Sequence, residues 1–187
     1  MSYKKLISES LDRTKVTKAA IFDFDGTTVD TLYPEIGKPI YKEKTGQDWP
    51  FKGWWGRVES LDMNVFDFKA LPEVKSDYNK VVGDEDTLKV LLTGRRPNLA
   101  NQVKSVLDAN GYKFDKYLFN YGSDTLSNKM EQMLTLLKEF PNIKTISFWD
   151  DRVEHAPHFK KFFDGLVSDG RIDDYYFVEV DNPQWTK

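Results

Sequence analysis

Short apolar runs alternate with amphipathic segments along most of the chain. The apolar runs predict strands at residues 19–22, 88–92, 116–120, 144–149 and 175–180. Apolar residues at helical spacing predict helices at 97–110, at 126–140 and from about residue 157. Strands that alternate with helices are typical of a parallel sheet with helices on both faces. We therefore predict an α/β fold with a Rossmann-like, doubly wound parallel sheet.

Residues 31–85 do not follow this alternation. The segment is rich in proline, glycine and aromatic residues, and it is too long for an ordinary connection. We predict that it is a small insert, a flap or minimal cap, after the first strand. Residues 1–16 are predicted to form a short helix or arm. Because 187 residues are too few for two ordinary domains, we expect one domain over 1–187.

Three of the predicted strands end in polar residues. Asp23 and Asp25 follow the first strand, Thr93 follows the second, and Asp150 and Asp151 follow the run at 144–149. The carboxyl ends of parallel strands meet at one edge of a sheet, so these groups should lie close together. Carboxylates that close need compensation, and Mg²⁺ prefers oxygen ligands and leaves positions open for a phosphate. Aspartates are also common turn formers, but two pairs together favour a metal site.

Thr93 and Lys129 predict a phosphate site. The Thr93 hydroxyl and the amides that follow it, left accessible by Gly94, can donate to phosphate oxygens. A plain helix cap is the alternative for Thr93. Lys129 should lie in the first turn of a helix capped by Ser127, where a bound anion would offset the unfavourable helix dipole. The alternative is an ordinary exposed lysine. Arg95 could reach the phosphate or be a surface arginine.

Two further groups leave alternatives open. Directly after the second aspartate pair comes a basic cluster of Arg152, His155, His158, Lys160 and Lys161. It could hold a nucleic-acid phosphate or form a solvated helix face. In the insert, Trp49, Trp54 and Trp55 could stack on a base or form a small core.

Composition narrows the function classes. A net charge of −3 and a pI near 5.5 argue against binding nucleic acid through a broad basic face. The absence of cysteine excludes disulfides, thiolate zinc sites and cysteine nucleophiles. The first residues lack the apolar core of a signal peptide, and no run is long enough to span a bilayer. We therefore expect a cytoplasmic protein; the sequence predicts no oligomeric state.

Four motifs resemble, in order, those of the haloacid dehalogenase-like (HAD) phosphohydrolase superfamily. They are Asp23-x-Asp25-Gly26-Thr27, Thr93-Gly94-Arg95, Lys129 and Asp150-Asp151, and the resemblance covers roughly residues 17–165. More loosely, Trp54-Trp55, and Asp151-Arg152 followed by His155 and Phe159, resemble a subgroup predicted to act in RNA repair.

The resemblance implies Mg²⁺-dependent hydrolysis of a phosphate monoester. It implies that Asp23 is the nucleophile that forms an aspartyl-phosphate, and that Asp25 is the acid that protonates the leaving oxygen and then activates water. It implies metal ligation by Asp23, Asp25 (through its backbone carbonyl), Asp150 and Asp151, with either of the last two as the direct ligand. The candidate phosphate-binding residues at these motifs are Thr93, Gly94, Arg95 and Lys129, and Arg96 is the alternative to Arg95.

The substrate class stays open. Between Thr93 and Lys129 there is room only for the fold's own helix, strand and turn, so the second cap position of the superfamily is empty. A relatively open site makes a nucleic-acid terminal phosphate accessible. The alternatives are a phosphatase for nucleotides or small metabolites, a protein phosphatase, and a binding module without turnover. Asp25 disfavours the last, because a pure binder needs no acid–base carboxylate.

Overall fold

A five-stranded parallel sheet organises the protein. The computed structural model describes residues 13–182, so most of the predicted arm at 1–16 lies outside the described residues. The strands are β1 (Lys18–Phe22), β2 (Thr87–Leu92), β3 (Lys116–Leu118), β4 (Thr145–Asp150) and β5 (Asp174–Glu179). Their order is β3-β2-β1-β4-β5, with β1 in the centre. The predicted Rossmann-like α/β fold is confirmed, and the last strand, β5, lies at an edge of the sheet.

Helices cover both faces of the sheet. They are α1 (Pro34–Thr45), α2 (Pro72–Val81), α3 (Ala100–Ala109), α4 (Thr125–Glu139) and α5 (Ala156–Ser168). Side chains alternate along β1, so Ala20 and Phe22 pack with α3 and the insert, whereas Ala19 and Ile21 pack with α4 and α5. The sheet is therefore buried on both sides, as parallel sheets require. Among residues 13–182, no helix has the length and apolar character needed to cross a bilayer.

Helix α4 begins earlier than the sequence pattern predicts. Its N-cap is Asp124, whose carboxylate accepts a hydrogen bond from the Ser127 N–H at 2.9 Å. The prediction that Ser127 caps the helix is therefore wrong. An aspartate also benefits from the positive end of the helix dipole. Lys129 consequently lies beyond the first turn, on the part of α4 that faces the sheet.

The insert after β1 is built around Trp54. It contains α1, a 3₁₀ turn (Val58–Leu61) and α2. Trp54 is buried, its Nε1–H donates to the Leu32 carbonyl at 2.8 Å, and its ring lies 4.6 Å from that of Trp49. Gly37 of α1 passes so close that a Cβ there would overlap the Trp54 ring. For Trp54, the prediction of a small aromatic core is confirmed.

Candidate active site

Three aspartates meet where β1 and β4 end. The pairing of Phe22 with Trp149 places the residues that follow them side by side. Asp23, Asp150 and Asp151 each offer a carboxylate oxygen, and these oxygens lie within 4.8 Å of one another. All three residues are buried. The predicted convergence of the two aspartate pairs is thus observed for three of the four side chains.

Lys129 reaches from α4 into this acidic cluster. Its Nζ lies 2.9 Å from Asp23 Oδ1 and 2.6 Å from Asp150 Oδ2, and the residue is 1% exposed. The alternative of an ordinary exposed lysine is therefore wrong. Burial alone would lower the pKa of Lys129, but the Asp150 and Asp23 carboxylates raise it above its ordinary value. The ammonium group is charged and holds both carboxylates in place.

The cluster still lacks positive charge. The pKa of Asp151 is raised to about 8, mainly by burial and to a smaller extent by repulsion from the Asp23 and Asp150 carboxylates. Burial also raises the pKa of Asp23 to about 6, with Lys129 acting in the opposite direction. Buried carboxylates that hold protons near neutral pH are poised to exchange them for a cation. Because every donor is an oxygen, the residues present fit a hard divalent ion such as Mg²⁺.

The side chain of Asp25 lies outside the acidic cluster and binds Arg95. Arg95 Nη2–H donates to Asp25 Oδ1 at 2.7 Å and Nε–H to Oδ2 at 2.9 Å, while the Thr31 hydroxyl donates to Oδ1 at 2.8 Å. Arg95 Nη1–H also donates to the Trp55 carbonyl at 2.7 Å and to Ser60 Oγ at 3.0 Å. Arg95 is 2% exposed, so the alternative of a surface arginine is wrong. Phosphate binding by Arg95 stays a prediction.

The loop after β2 brings Thr93 and Gly94 against the start of α4. Thr93 is fully buried, and its hydroxyl accepts the Arg95 N–H at 3.1 Å. A Cβ at Gly94 would lie 3.0 Å from Thr125 Cγ2, so glycine permits this close approach. Gly94 therefore lies directly against Thr125, the first residue of α4. Phosphate binding by Thr93 and Gly94 stays a prediction.

Three buried hydroxyls support the site, and sequence reasoning did not find them. Thr27 donates to Asp151 Oδ1 at 3.2 Å. Thr31 and Ser60 contact Asp25 and Arg95, respectively. Thr27 belongs to the first motif, which could have marked it as a site residue. Nothing in the local sequence distinguishes Ser60 from other polar residues of the insert.

A cleft of about 210 Å³ opens beside the acidic cluster. Its lining residues are Tyr33, Trp55, Asp151, Arg152 and Glu154. The basic cluster predicted after Asp151 is therefore divided. Arg152 faces this cleft, whereas Lys160 pairs with Glu179 on β5.

Comparisons with known proteins identify the family of the chain and support its fold. The family described as "HAD domain family 1 in Swiss Army Knife RNA repair proteins" matches residues 44–185, a match that begins after Asp23 and Asp25. An uncharacterized protein of Saccharomyces cerevisiae, YMR265C, is 26% identical over 174 residues, which cover 81% of this chain and 38% of that protein. The chain thus spans about 38% of the length of this relative.

Solved structures share the fold at low sequence identity. The Legionella pneumophila effector Ceg4 has a TM-score of 0.56 at 15% identity, covering 91% of this chain and 89% of its own. The HAD domain of the effector Lem4 from the same organism has a TM-score of 0.53 at 15% identity, with 91% and 90% covered. A chain of the Pnkp1/Rnl/Hen1 complex has a TM-score of 0.50 at 17% identity, with 96% and 50% covered. Since the family match extends over most of the sequence, the chain belongs to HAD domain family 1 of the Swiss Army Knife RNA repair proteins.

Proposed function

We propose that this protein is a Mg²⁺-dependent phosphate monoester hydrolase that forms an aspartyl-phosphate at Asp23 and acts on nucleic-acid terminal phosphates. The observation that carries the proposal is the buried cluster of Asp23, Asp150 and Asp151 held by Lys129. A structural role alone does not account for this cluster, because three buried carboxylates beside one lysine destabilise a fold unless they hold protons or bind a cation.

Asp23 is the proposed nucleophile and metal ligand, together with Asp150 and Asp151. A Mg²⁺ ion bound there would offset the negative charge of the phosphate and polarise its phosphorus–oxygen bonds. Lys129 holds Asp23 Oδ1 at 2.9 Å, which orients the carboxylate before attack. In the first step an Asp23 oxygen bonds to phosphorus, and the bond to the leaving oxygen breaks. The phosphoryl group is then carried by Asp23.

Asp25 is the proposed acid and base. Its Oδ1 accepts from both Thr31 and Arg95, whereas Oδ2 accepts only from Arg95 Nε–H among the contacts described. Oδ2 is therefore the oxygen that can carry the proton given to the leaving group. In the second step, Asp25 takes a proton from water, the water oxygen bonds to phosphorus, and the Asp23–phosphorus bond breaks. We assign Arg95 a positioning role towards Asp25.

The description of the family as RNA repair proteins supports a phosphorylated nucleic-acid end as the substrate. One observation favours a second candidate, a nucleotide or small-metabolite phosphatase: the cleft beside the cluster has a volume of only about 210 Å³. A catalytically silent phosphate-binding module is the third possibility, and the acid–base carboxylate of Asp25 disfavours it.

The test is phosphate release, with and without Mg²⁺, from a substrate panel. The panel contains 3′- and 5′-phosphorylated oligonucleotides, mononucleotides, sugar phosphates and a phosphopeptide. We expect Mg²⁺-dependent release from oligonucleotide ends, its loss in Asp23→Asn and no change in the control Asp169→Asn, which alters an exposed aspartate. Acid-quenched reactions with labelled substrate should leave hydroxylamine-sensitive label on the wild-type protein. Release that persists in Asp23→Asn would refute the proposed nucleophile.

A further inference from the structure

The cleft beside the acidic cluster contains an arginine whose guanidinium makes no direct polar contact with another described side chain. Burial lowers the pKa of Arg152, but the nearby carboxylates of Asp23, Asp150 and Asp151 raise it above its ordinary value, so the group is charged. Arg152 is partly buried, and its backbone N–H donates to Asp150 Oδ1 at 3.0 Å, which anchors the residue at the cluster. Within residues 13–182, its guanidinium makes no hydrogen bond and no ion pair. A planar guanidinium with unused donors matches the two oxygens of a phosphate. Arg152 therefore offers the cleft a position for an anion.

The opposite wall of the cleft is a tryptophan that is already held in place. The Trp55 carbonyl accepts from Arg95 Nη1–H at 2.7 Å, and the Arg95 guanidinium lies 4.9 Å from the centre of the Trp55 ring. The ring of Tyr33 meets Trp55 edge to face at 5.5 Å. A ring ordered in advance loses little conformational entropy when a ligand stacks on it. This wall suits a flat aromatic group such as a nucleobase.

The cleft is aligned with the proposed reaction centre. Asp151 belongs both to the acidic cluster and to the cleft lining. Arg95 binds Trp55 and also Asp25. A ligand whose terminal phosphate lies at Asp23 would thus extend directly into the cleft.

The size and charge of the cleft limit what it can hold. About 210 Å³ is less than the roughly 300–1,000 Å³ of ordinary small-molecule pockets. One nucleotide unit is therefore a better match than a longer segment, which would continue into solvent. Glu154 at the same cleft disfavours a run of phosphates and can accept a hydrogen bond from a sugar hydroxyl.

We propose that this cleft binds the nucleotide next to the terminal phosphate of a nucleic-acid strand, with its base on Trp55 and the adjoining internucleotide phosphate on Arg152. The inference rests on the proposed function and adds a specificity site to it. It predicts that the protein recognises a strand end, with two phosphates at a set separation, over an isolated phosphate monoester.

The test combines substrate and protein changes. The substrates are a phosphorylated tetranucleotide, the same strand with a neutral methylphosphonate at the linkage next to the terminal phosphate, and the phosphorylated mononucleotide. In the wild type, kcat/KM should fall about 10-fold or more with either the methylphosphonate or the mononucleotide, since a charge-assisted hydrogen bond is lost. Arg152→Gln should lose a similar factor on the natural strand and little more on the methylphosphonate strand.

Trp55→Ala should lose about 10-fold on the tetranucleotide, mainly in KM, and Trp55→Phe should restore most of that loss because a ring is retained. Lys138→Gln is the matched control. It removes one positive charge from an exposed lysine near the carboxyl end of α4, away from the cleft. It should leave all three substrates unaffected.

The outcomes separate this inference from the proposed function. If the methylphosphonate leaves the kcat/KM of the wild type unchanged, Arg152 does not contact that phosphate. The same conclusion follows if the methylphosphonate and Arg152→Gln lower kcat/KM independently, so that their two factors multiply. Preference for a mononucleotide, sugar phosphate or phosphopeptide would likewise overturn the cleft assignment while phosphatase activity stands. If no phosphate monoester is hydrolysed, the proposed function fails. Fluorescence anisotropy with the labelled tetranucleotide then tests whether the cleft binds a strand end. Binding that needs Arg152 and Trp55 supports the inference, and no binding overturns it.

Discussion

Replacing Lys129 with methionine should strongly destabilise the metal-free protein. The Lys129 ammonium is 1% exposed and contacts both Asp23 and Asp150. Removing one partner of a buried ion pair costs about 3–5 kcal/mol, because the remaining charge is left uncompensated. Methionine keeps a similar length and helix propensity, so the change isolates the charge. Because proteins typically have a free energy of unfolding of about 5–15 kcal/mol, the variant should still fold, but with a much lower free energy of unfolding.

The loss should depend on pH. Lys129 lowers the pKa of Asp23, which is nevertheless raised to about 6, and its removal should raise that pKa further. A carboxyl group whose folded-state pKa is raised contributes stability at low pH that is lost as pH rises through the folded-state value. The penalty of Lys129→Met should therefore be smaller at pH 5 than at pH 8. Mg²⁺ at pH 8 should recover part of it by supplying positive charge.

Urea unfolding followed by tryptophan fluorescence, in EDTA at pH 5 and pH 8, measures these free energies. Lys138→Met is the control, because this lysine is exposed on the same helix, and it should change the free energy of unfolding by less than about 0.5 kcal/mol. A penalty below about 1 kcal/mol for Lys129→Met at pH 8 would refute the electrostatic argument. An equal penalty at both pH values would mean that Lys129 acts through packing alone.

Three further predictions concern other parts of the site and the insert. Asp25→Asn should slow single-turnover release of an alkyl alcohol from its phosphate ester about 10²–10⁴-fold. It should slow release of p-nitrophenol far less, because nitrophenolate leaves without a proton. Equal losses with both substrates would show that Asp25 is not the acid. The pKa of Asp151 rises from 3.8 to about 8, so the free energy of unfolding of the metal-free wild type should fall between about pH 4 and pH 8. In Asp151→Asn the fall should be smaller, and an identical pH profile would contradict the assignment. Gly37→Ala should lower the free energy of unfolding by about 1–3 kcal/mol, because the added Cβ would overlap the Trp54 ring. Gly56→Ala is the control in the same urea assay. It should be nearly neutral, because no atom lies within 4 Å of a Cβ at that position.

Local patterns predicted the five strands and helices α3 to α5 well, because those elements depend on local periodicity, but they did not predict α1 and α2 of the insert. The apolar run before Asp150 predicts β4 to within a residue at each end. The start of α4 was harder, since Asp124 and Ser127 are both good caps three residues apart. The choice depends on the path of the preceding loop, which approaches Gly94, and no periodic pattern encodes that path.

The candidate site was predicted in its residue types more than in its contacts. Side chains alternate between the two faces only within a strand. Because β1 ends at Phe22, this alternation does not predict where the Asp25 side chain points. The partner of Asp25 is Arg95, 70 residues away, and Ser60 is 35 residues from Arg95 in an insert without periodicity. The charge of Lys129 was evident from the sequence, whereas its burial follows from tertiary packing.

The central position of β1 also sets when the site can exist during translation. Thr27 is hydrogen-bonded to Asp151, 124 residues further along the chain, and β1 pairs only with strands that are synthesised after it. At about 5–20 residues per second, the first aspartate pair leaves the ribosome seconds before Lys129 and Asp150 do. In that interval the Asp23 carboxylate has neither Lys129 nor Asp150 beside it. A nascent chain that stalls before residue 150 therefore has no assembled metal cluster, and such a truncated product should be inert towards phosphorylated ends.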